Sequence, residues 1–344
     1  MAVLKITVGY LYPDIMSTYG DRGNIETIVQ RCQWRGIEAG VTELRLGDQL
    51  RPDELDLIVI GSGGESQQRL IADDLARVKG PAIREAVVAG RAAALAVGGG
   101  YELFGRFCRP GSGGDLPGAG LFDTWTLRSR AVLGGQYGTI TEARADRAIG
   151  DLVVRWNGRL LVGFENHAGA TFLGPTAQPL GQVIAGYGNS GNGHEGTALG
   201  SAVGTHLRGP CLPRNPALAD FLIQAALRRR QPDAELDPLP DTLEHAARQA
   251  AIHRARQAAR GRGGRLVDTV LRKAGLATAT SPAAAQRAAA HPAGSHPAAA
   301  HPGAAHPAGA HPAGAHPADV HPAATGMTAA GVTAASGRRA GGHQ

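Results

Sequence analysis

Cysteine is scarce. Cys32, Cys108 and Cys211 are the only three in 344 residues. Their spacing makes neither a disulfide framework nor a zinc motif, and it suits a reducing compartment. No apolar run approaches the ~18 residues of a spanning helix, so no transmembrane segment is expected. Met1–Tyr10 alternates like a strand and lacks a signal peptide's basic start and long apolar core, which points to the cytoplasm. The main body also lacks a basic excess. The net charge is +6, but residues 241–275 carry +5 and residues 276–344 carry +2, which leaves −1 for residues 1–240. Nucleic-acid binding by the body is therefore not indicated.

What is present is an alternation of strand and helix patterns. Val3–Tyr10, Ile37–Leu44, Leu55–Ile60 and Ala92–Val97 read as strands, and Asn24–Trp34 and Asp73–Ala89 as helices. The last two strands are continuous apolar runs, the pattern of parallel strands buried on both faces. This predicts an α/β fold with a mostly parallel sheet, three layers and right-handed crossovers. Ligands of such sheets bind outside the carboxyl ends of the strands, where two glycine-rich exits fall, Gly61–Gly64 and Gly98–Gly100. Further on, Trp125–Ile140, Leu152–Phe164 and Ala202–Leu207 read as strands, with a hairpin turn at Asn157-Gly158, and Pro216–Arg229 as a closing helix.

The organisation predicted is one domain over 3–230, a basic helical or disordered linker over 231–275, and a low-complexity tail over 276–344. Thr242–Lys273 has mostly alanine on its apolar side, which buries little, so firm docking is not expected. The tail carries His-Pro at 291, 296, 301, 306, 311, 316 and 321. Proline at that density excludes helix and sheet. Its imidazoles are weak metal ligands at best, and a linker is the plainer reading.

One further absence matters more than the rest. Leu95–Gly105 reads as a buried strand, a turn of three glycines and the start of a helix. In α/β enzymes such an elbow lifts a nucleophile to the carboxyl end of the sheet. Here position 98 is glycine, and no Cys, Ser or Thr stands in the turn. Cys108 falls about 15 Å further on if the helix continues at 1.5 Å per residue. Cys211, in the loop Pro210-Cys211-Leu212-Pro213, is a conceivable alternative thiol, but a reactive cysteine needs a setting that lowers its pKa. Ser62 belongs to a glycine loop rather than to the elbow.

Four stretches stand out together: Leu11–Asn24 (LYPDIMSTYGDRGN), the elbow AVGGGYEL, Val162–His167 (VGFENH), and Gly204–Pro216 (GTHLRGPCLPRNP). This set, in order over residues 5–228, resembles the CobB/CobQ-like class I glutamine amidotransferases. Within them it is most similar to the glutaminase subunits of bacterial lipid II isoglutaminyl synthases. The resemblance implies a flavodoxin-like class I amidotransferase fold. It also implies glutamine as ligand and glutamine hydrolysis by a thiolate, an imidazole and backbone oxyanion donors. The ammonia would pass to a MurT-like Mur ligase partner that uses ATP and metal and amidates the peptidoglycan stem peptide. No cofactor and no metal are expected in this subunit.

Carried over residue by residue, the family's Cys position is Gly98 and its catalytic His position is Arg208. Both members of the pair are replaced. Oxyanion donors survive as backbone N–H groups of Gly99 and of Gly63 or Gly64. Arg128 or Arg130 matches a family residue that contacts glutamine. His206 shares Arg208's parity on the strand and is the candidate stand-in base, although it sits ~6–7 Å from position 208 at ~3.3 Å per residue. His167 reads as a metal ligand or base, or as a hydrogen-bonded structural histidine, and the lack of a second ligand at metal spacing favours the last. Glu165 reads as an orienting or a structural acid, and Tyr19–Arg22 as a partner or fold-locking motif. The resemblance therefore predicts an impaired or inactive glutaminase subunit. The alternatives are a non-catalytic binding or scaffold protein, and a cobyric-acid-type relative, which the missing synthetase domain disfavours.

Overall fold

The computed structural model describes residues 4–128 and 147–260. Arg130, most of the strand expected over 125–140, and the His-Pro repeat lie outside them.

The chain opens with β1 (Lys5–Leu11), α1 (Arg22–Gln33), β2 (Glu38–Leu44) and β3 (Leu57–Ile60). Next come α2 (Glu65–Asp74), a π turn (Leu75–Lys79) and α3 (Gly80–Val88). The expected helix over 73–89 is thus the second half of a longer one. Its polar first half starts where Gly64 N–H meets Gln67 Oε1 at 3.1 Å. The π turn just before Gly80-Pro81 widens the helix where the proline ring crowds the preceding turn.

β4 (Ala93–Val97) leads into α4 (Gly99–Phe104). Short strands follow: β5 (Phe107–Arg109), β6 (Leu116–Pro117) and β7 (Thr124–Leu127). β8 (Ala148–Trp156) and β9 (Arg159–His167) form the expected hairpin, with Asn157 and Gly158 at φ 47° and 73°. Two positive φ values in a two-residue loop match the twist of the flanking strands. The chain continues through β10 (Ala170–Leu173), β11 (Gly181–Ala185), β12 (His194–Glu195), β13 (Thr197–Leu199) and β14 (Ala202–Thr205). It closes with α5 (Pro216–Arg230) and α6 (Thr242–Arg260).

The main sheet has the order β13-β14-β4-β3-β1-β2, parallel except for the edge strand β13. Numbered along the chain, its five parallel strands run 2-1-3-4-5, the flavodoxin-like doubly wound order. Side chains alternate between two cores. Val8, Leu57, Val59, Leu95 and Val203 pack with α1 and α5. Ile58, Ile60, Ala94 and Ala96 pack with α2, α3 and α4 on the other face. This is the expected three-layer arrangement. Asp56, at the entry to β3, accepts from Thr7 N–H and from Arg229 and Arg230, which seats the end of α5.

The antiparallel sheet β12-β11-β8-β9 covers α5 through Leu152, Val154 and Leu161. Its opposite face carries α6, with Ala251, Ile252 and Ala255 buried on Val153, Leu160, Val162 and Ile184. Against expectation, then, the basic helix after residue 240 is docked. A single isoleucine among alanines allows close approach to the sheet. Asp241, just before α6, also pairs with the buried Arg31 at 2.7 Å.

Candidate functional site

Three strand ends converge at the elbow. Ile60 of β3 pairs with Ala96, and Thr205 of β14 pairs with Val97. Two residues beyond that first pair, Ser62 flanks Gly98 on one side, and Arg208 reaches it from the other. Arg208 is fixed by a bridge to β9, donating its N–H to Phe164 O at 2.8 Å and accepting from Phe164 N–H at 3.2 Å.

Gly98 has φ 54° and ψ −115°, the conformation of a nucleophile elbow, which glycine adopts at little cost. A Cβ built on it would lie 2.4 Å from Ser62 Oγ, 2.5 Å from Arg208 Nε and 2.7 Å from Arg208 Nη2. The hydroxyl and the guanidinium thus fill the volume that a nucleophilic side chain would need. Ser62 lies in the glycine loop after β3, as the sequence reads, and the parallel register of β3 on β4 brings that loop's hydroxyl against the elbow.

The Leu11–Asn24 motif holds this loop in place. Asp21 Oδ2 accepts from Ser62 N–H at 2.8 Å, and Thr18 N–H donates to Ser62 O at 3.0 Å. A Cβ on Gly61 would meet Met16 O at 2.3 Å, so only glycine fits there. Burial raises the Asp21 carboxyl pKa, and the Ser62 N–H bond and Arg208 partly offset the rise. Asn24 accepts from Leu212 N–H at 3.0 Å, and Asn215 bridges Val162 and Cys211. Tyr19–Asn24 and LPRNP therefore lock the loops around the elbow together.

The backbones of Gly63 and Gly99 abut, with Gly63 N 3.1 Å from a Cβ built on Gly99. Gly64 N–H is engaged by Gln67. Below them lies a buried polar group that sequence reasoning did not single out. Gln68 Nε2 donates to Gly99 O at 2.9 Å and to Glu102 Oε2 at 2.8 Å. Arg128 reaches the same place and donates to Gln68 Oε1 at 2.5 Å and to Glu102. Burial opposes ionisation of Glu102, but Arg128, Arg208 and Gln68 outweigh it and hold the carboxyl below its usual range.

His206 is buried, and its ring engages groups other than Gly98. It stacks on His167 with centroids 3.9 Å apart and 8° between planes, and shares a 3.1 Å hydrogen bond with Thr171 Oγ1. Burial, then His167, push its pKa well below the usual histidine value, so it stays neutral. His167 Nδ1 bonds Gly169 O at 2.8 Å, while Glu165 accepts from Tyr187 and Gly188 N–H at 2.7 and 3.0 Å. Both are tied into turn structure.

The thiols are not placed for catalysis. Cys108 is not on a continued helix, because α4 ends at Phe104 and β5 brings Sγ to 3.9 Å from Glu102 Oε2. Burial raises its pKa, and Glu102 adds to the rise. Cys211 donates to Asn24 Oδ1 at 3.6 Å, and burial pushes its pKa up to about 12. Neither has the electropositive, accessible setting of a reactive thiolate.

Residues 7–216 match the CobB/CobQ-like glutamine amidotransferase domain. The chain belongs to the CobB/CobQ-like glutamine amidotransferase family. Within that family it is 31% identical over 260 residues to the lipid II isoglutaminyl synthase (glutamine-hydrolyzing) subunit GatD of Staphylococcus aureus, covering 75% of this chain and 99% of that one. Its identity to the GatD subunit of Streptococcus pneumoniae is also 31%, over 248 residues, covering 70% of this chain and 87% of that one. Among solved structures it is similar to a glutamine amidotransferase with a TM-score of 0.42 and 17% identity, covering 64% of this chain and 98% of that one. This family member is a GatD-like amidotransferase subunit in which Gly98 and Arg208 meet at the elbow. Among the described residues, no helix is long and apolar enough to cross a membrane.

Proposed function

We propose that this chain is the amidotransferase-fold subunit of an isoglutaminyl-synthase-like complex in the cytoplasm, and that its own elbow does not hydrolyse glutamine. Its partner in this reading is a MurT-like ligase, which brings ATP and metal and activates a carboxylate of the peptidoglycan stem peptide. The subunit contributes the docking scaffold and an amino-acid pocket.

One observation carries the inactive reading. The guanidinium of Arg208 and the hydroxyl of Ser62 stand 2.4–2.7 Å from the Cβ that a residue-98 nucleophile requires. No other thiol compensates, since Cys108 and Cys211 are buried with raised pKa values. Losing the nucleophile of such a pair commonly removes several powers of ten in rate, leaving only the remnant due to binding and oxyanion contacts.

The test is ammonia release from glutamine by the full chain, alone and with the co-expressed ligase. Release is expected to stay at background in both cases while the two proteins co-purify. A turnover near about 1 s⁻¹, within the ordinary enzyme range, overturns the inactive reading. Failure to co-purify overturns the complex.

A further inference from the structure

We propose that the elbow binds a carboxylate, with Arg208 as its recognition residue and free glutamate, rather than glutamine, as the ligand. The proposal rests on the reading that the elbow does not hydrolyse glutamine.

Arg208 is only 4% exposed. A charge buried that deeply is normally paired, because an unpaired one is costly to desolvate. Yet no carboxylate among the described residues lies within ion-pair distance of its guanidinium, and no acceptor there takes a hydrogen bond from it. Its Nε is buried with no partner. The carboxylates whose charges act on it, Glu102 and Asp21, lie beyond ion-pair distance, and their hydrogen bonds go elsewhere, Asp21 to the N–H of Ser62 and Glu102 to Arg128 and Gln68. What Arg208 has is the Tyr19 ring, 4.7 Å from Cζ to the centroid. That contact covers one face of the guanidinium and holds its orientation, and the N–H edge is left without a partner among the described residues. Beside that edge is Ser62 Oγ.

The chemistry selects the ligand. A guanidinium is a donor-only fork, and a carboxylate offers two acceptor oxygens in matching geometry. A carboxamide offers one acceptor, and its NH₂ would face the donors of Arg208 unpaired, which is penalised in a buried site. Where a thiolate and an imidazole read a glutamine side chain, a guanidinium in the same volume reads its acid. No bond is made or broken.

The experiment is calorimetric titration of the full chain with L-glutamate and with L-glutamine. Glutamate is expected to bind at least about tenfold more tightly than glutamine. Arg208→Gln is expected to abolish that preference, and Arg208→Lys, which keeps the charge, to retain part of it. Equal or tighter binding of glutamine by the unaltered chain overturns the proposal, as does binding of neither. So does undiminished glutamate affinity in Arg208→Gln. The comparison of the two ligands on the unaltered chain decides the matter even where a variant fails to fold. Ammonia release, measured separately, decides the reading on which the proposal rests.

Discussion

Arg208 Nε stands 2.5 Å from where a Cβ on Gly98 would be, so these two positions exclude each other's ancestral chemistry. A cysteine at 98 needs the space that the guanidinium holds, and a histidine at 208 has no nucleophile to serve. The two substitutions therefore form one coupled unit.

Restoring the pair tests that coupling. Gly98→Cys alone is expected to remain inactive and to lose about 1–3 kcal/mol of stability, from the positive φ and the Arg208 contact together. Gly98→Cys with Arg208→His removes the guanidinium clash and leaves only the Ser62 hydroxyl, which a change of rotamer clears. The double variant is expected to release ammonia from glutamine at least about a hundredfold faster than either single variant, a non-additivity typical of groups that act as a unit. An ammonia assay on the four proteins, with thermal melts beside it, checks both parts.

Much of the fold was legible. The apolar runs Leu57–Ile60 and Ala93–Val97 announce doubly buried parallel strands, and Asn157-Gly158 announces its hairpin. The start of α2 at Glu65 was not legible, because ESQQR carries no apolar period and its buried face begins with Gln68. The losses at 98 and 208 showed in the sequence, but their contact did not. It depends on the register of three strands distant in sequence, and the same register brings Ser62 to the elbow. Glu102 and Arg128 were likewise invisible as a pair, since one lies on α4 and the other follows β7.

The docking of α6 was missed for an energetic reason, and it yields a second prediction. Alanine buries little, so the helix depends on Ile252 and on the Arg31–Asp241 ion pair at its start. Ile252→Ala is expected to cost about 2 kcal/mol or slightly more. Arg31→Met, which strands Asp241 and leaves Asp220 with Arg35 alone, is expected to cost about 3 kcal/mol. Urea denaturation measures both. Limited proteolysis of either variant is expected to cut between α5 and α6 sooner than in the unaltered chain.

The three thiols give a third prediction. All are buried, and burial raises the pKa of each, to about 12 for Cys32 and Cys211. At pH 8 almost no thiolate is present in the folded protein. Alkylation by a maleimide is expected to run at least about a hundredfold slower than in denaturant, with all three sites reacting together on unfolding. One thiol reacting rapidly in the native protein would show a local setting that lowers its pKa.

The last prediction concerns Glu195, which is buried and accepts from Thr205 Oγ1 and His206 N–H, both at 2.7 Å. Its other oxygen has no hydrogen-bond partner among the described residues. Burial raises its pKa from 4.5 to about 7, moderated by those two bonds and by His167, while Glu165 adds to the rise. Folding therefore favours the protonated acid. Between pH 4.5 and about 7 the folded state holds a proton that the unfolded state has released, so this group's contribution to stability falls as pH rises across that window. Above it the full penalty remains, on the order of 3 kcal/mol. Glu195→Gln keeps an acceptor oxygen for Thr205 and His206 and carries no charge. It is expected to be more stable than the unaltered chain at pH 8 and no more stable at pH 4.5. Urea denaturation at the two pH values tests this, and an equal gain at both would show that the effect is packing rather than ionisation.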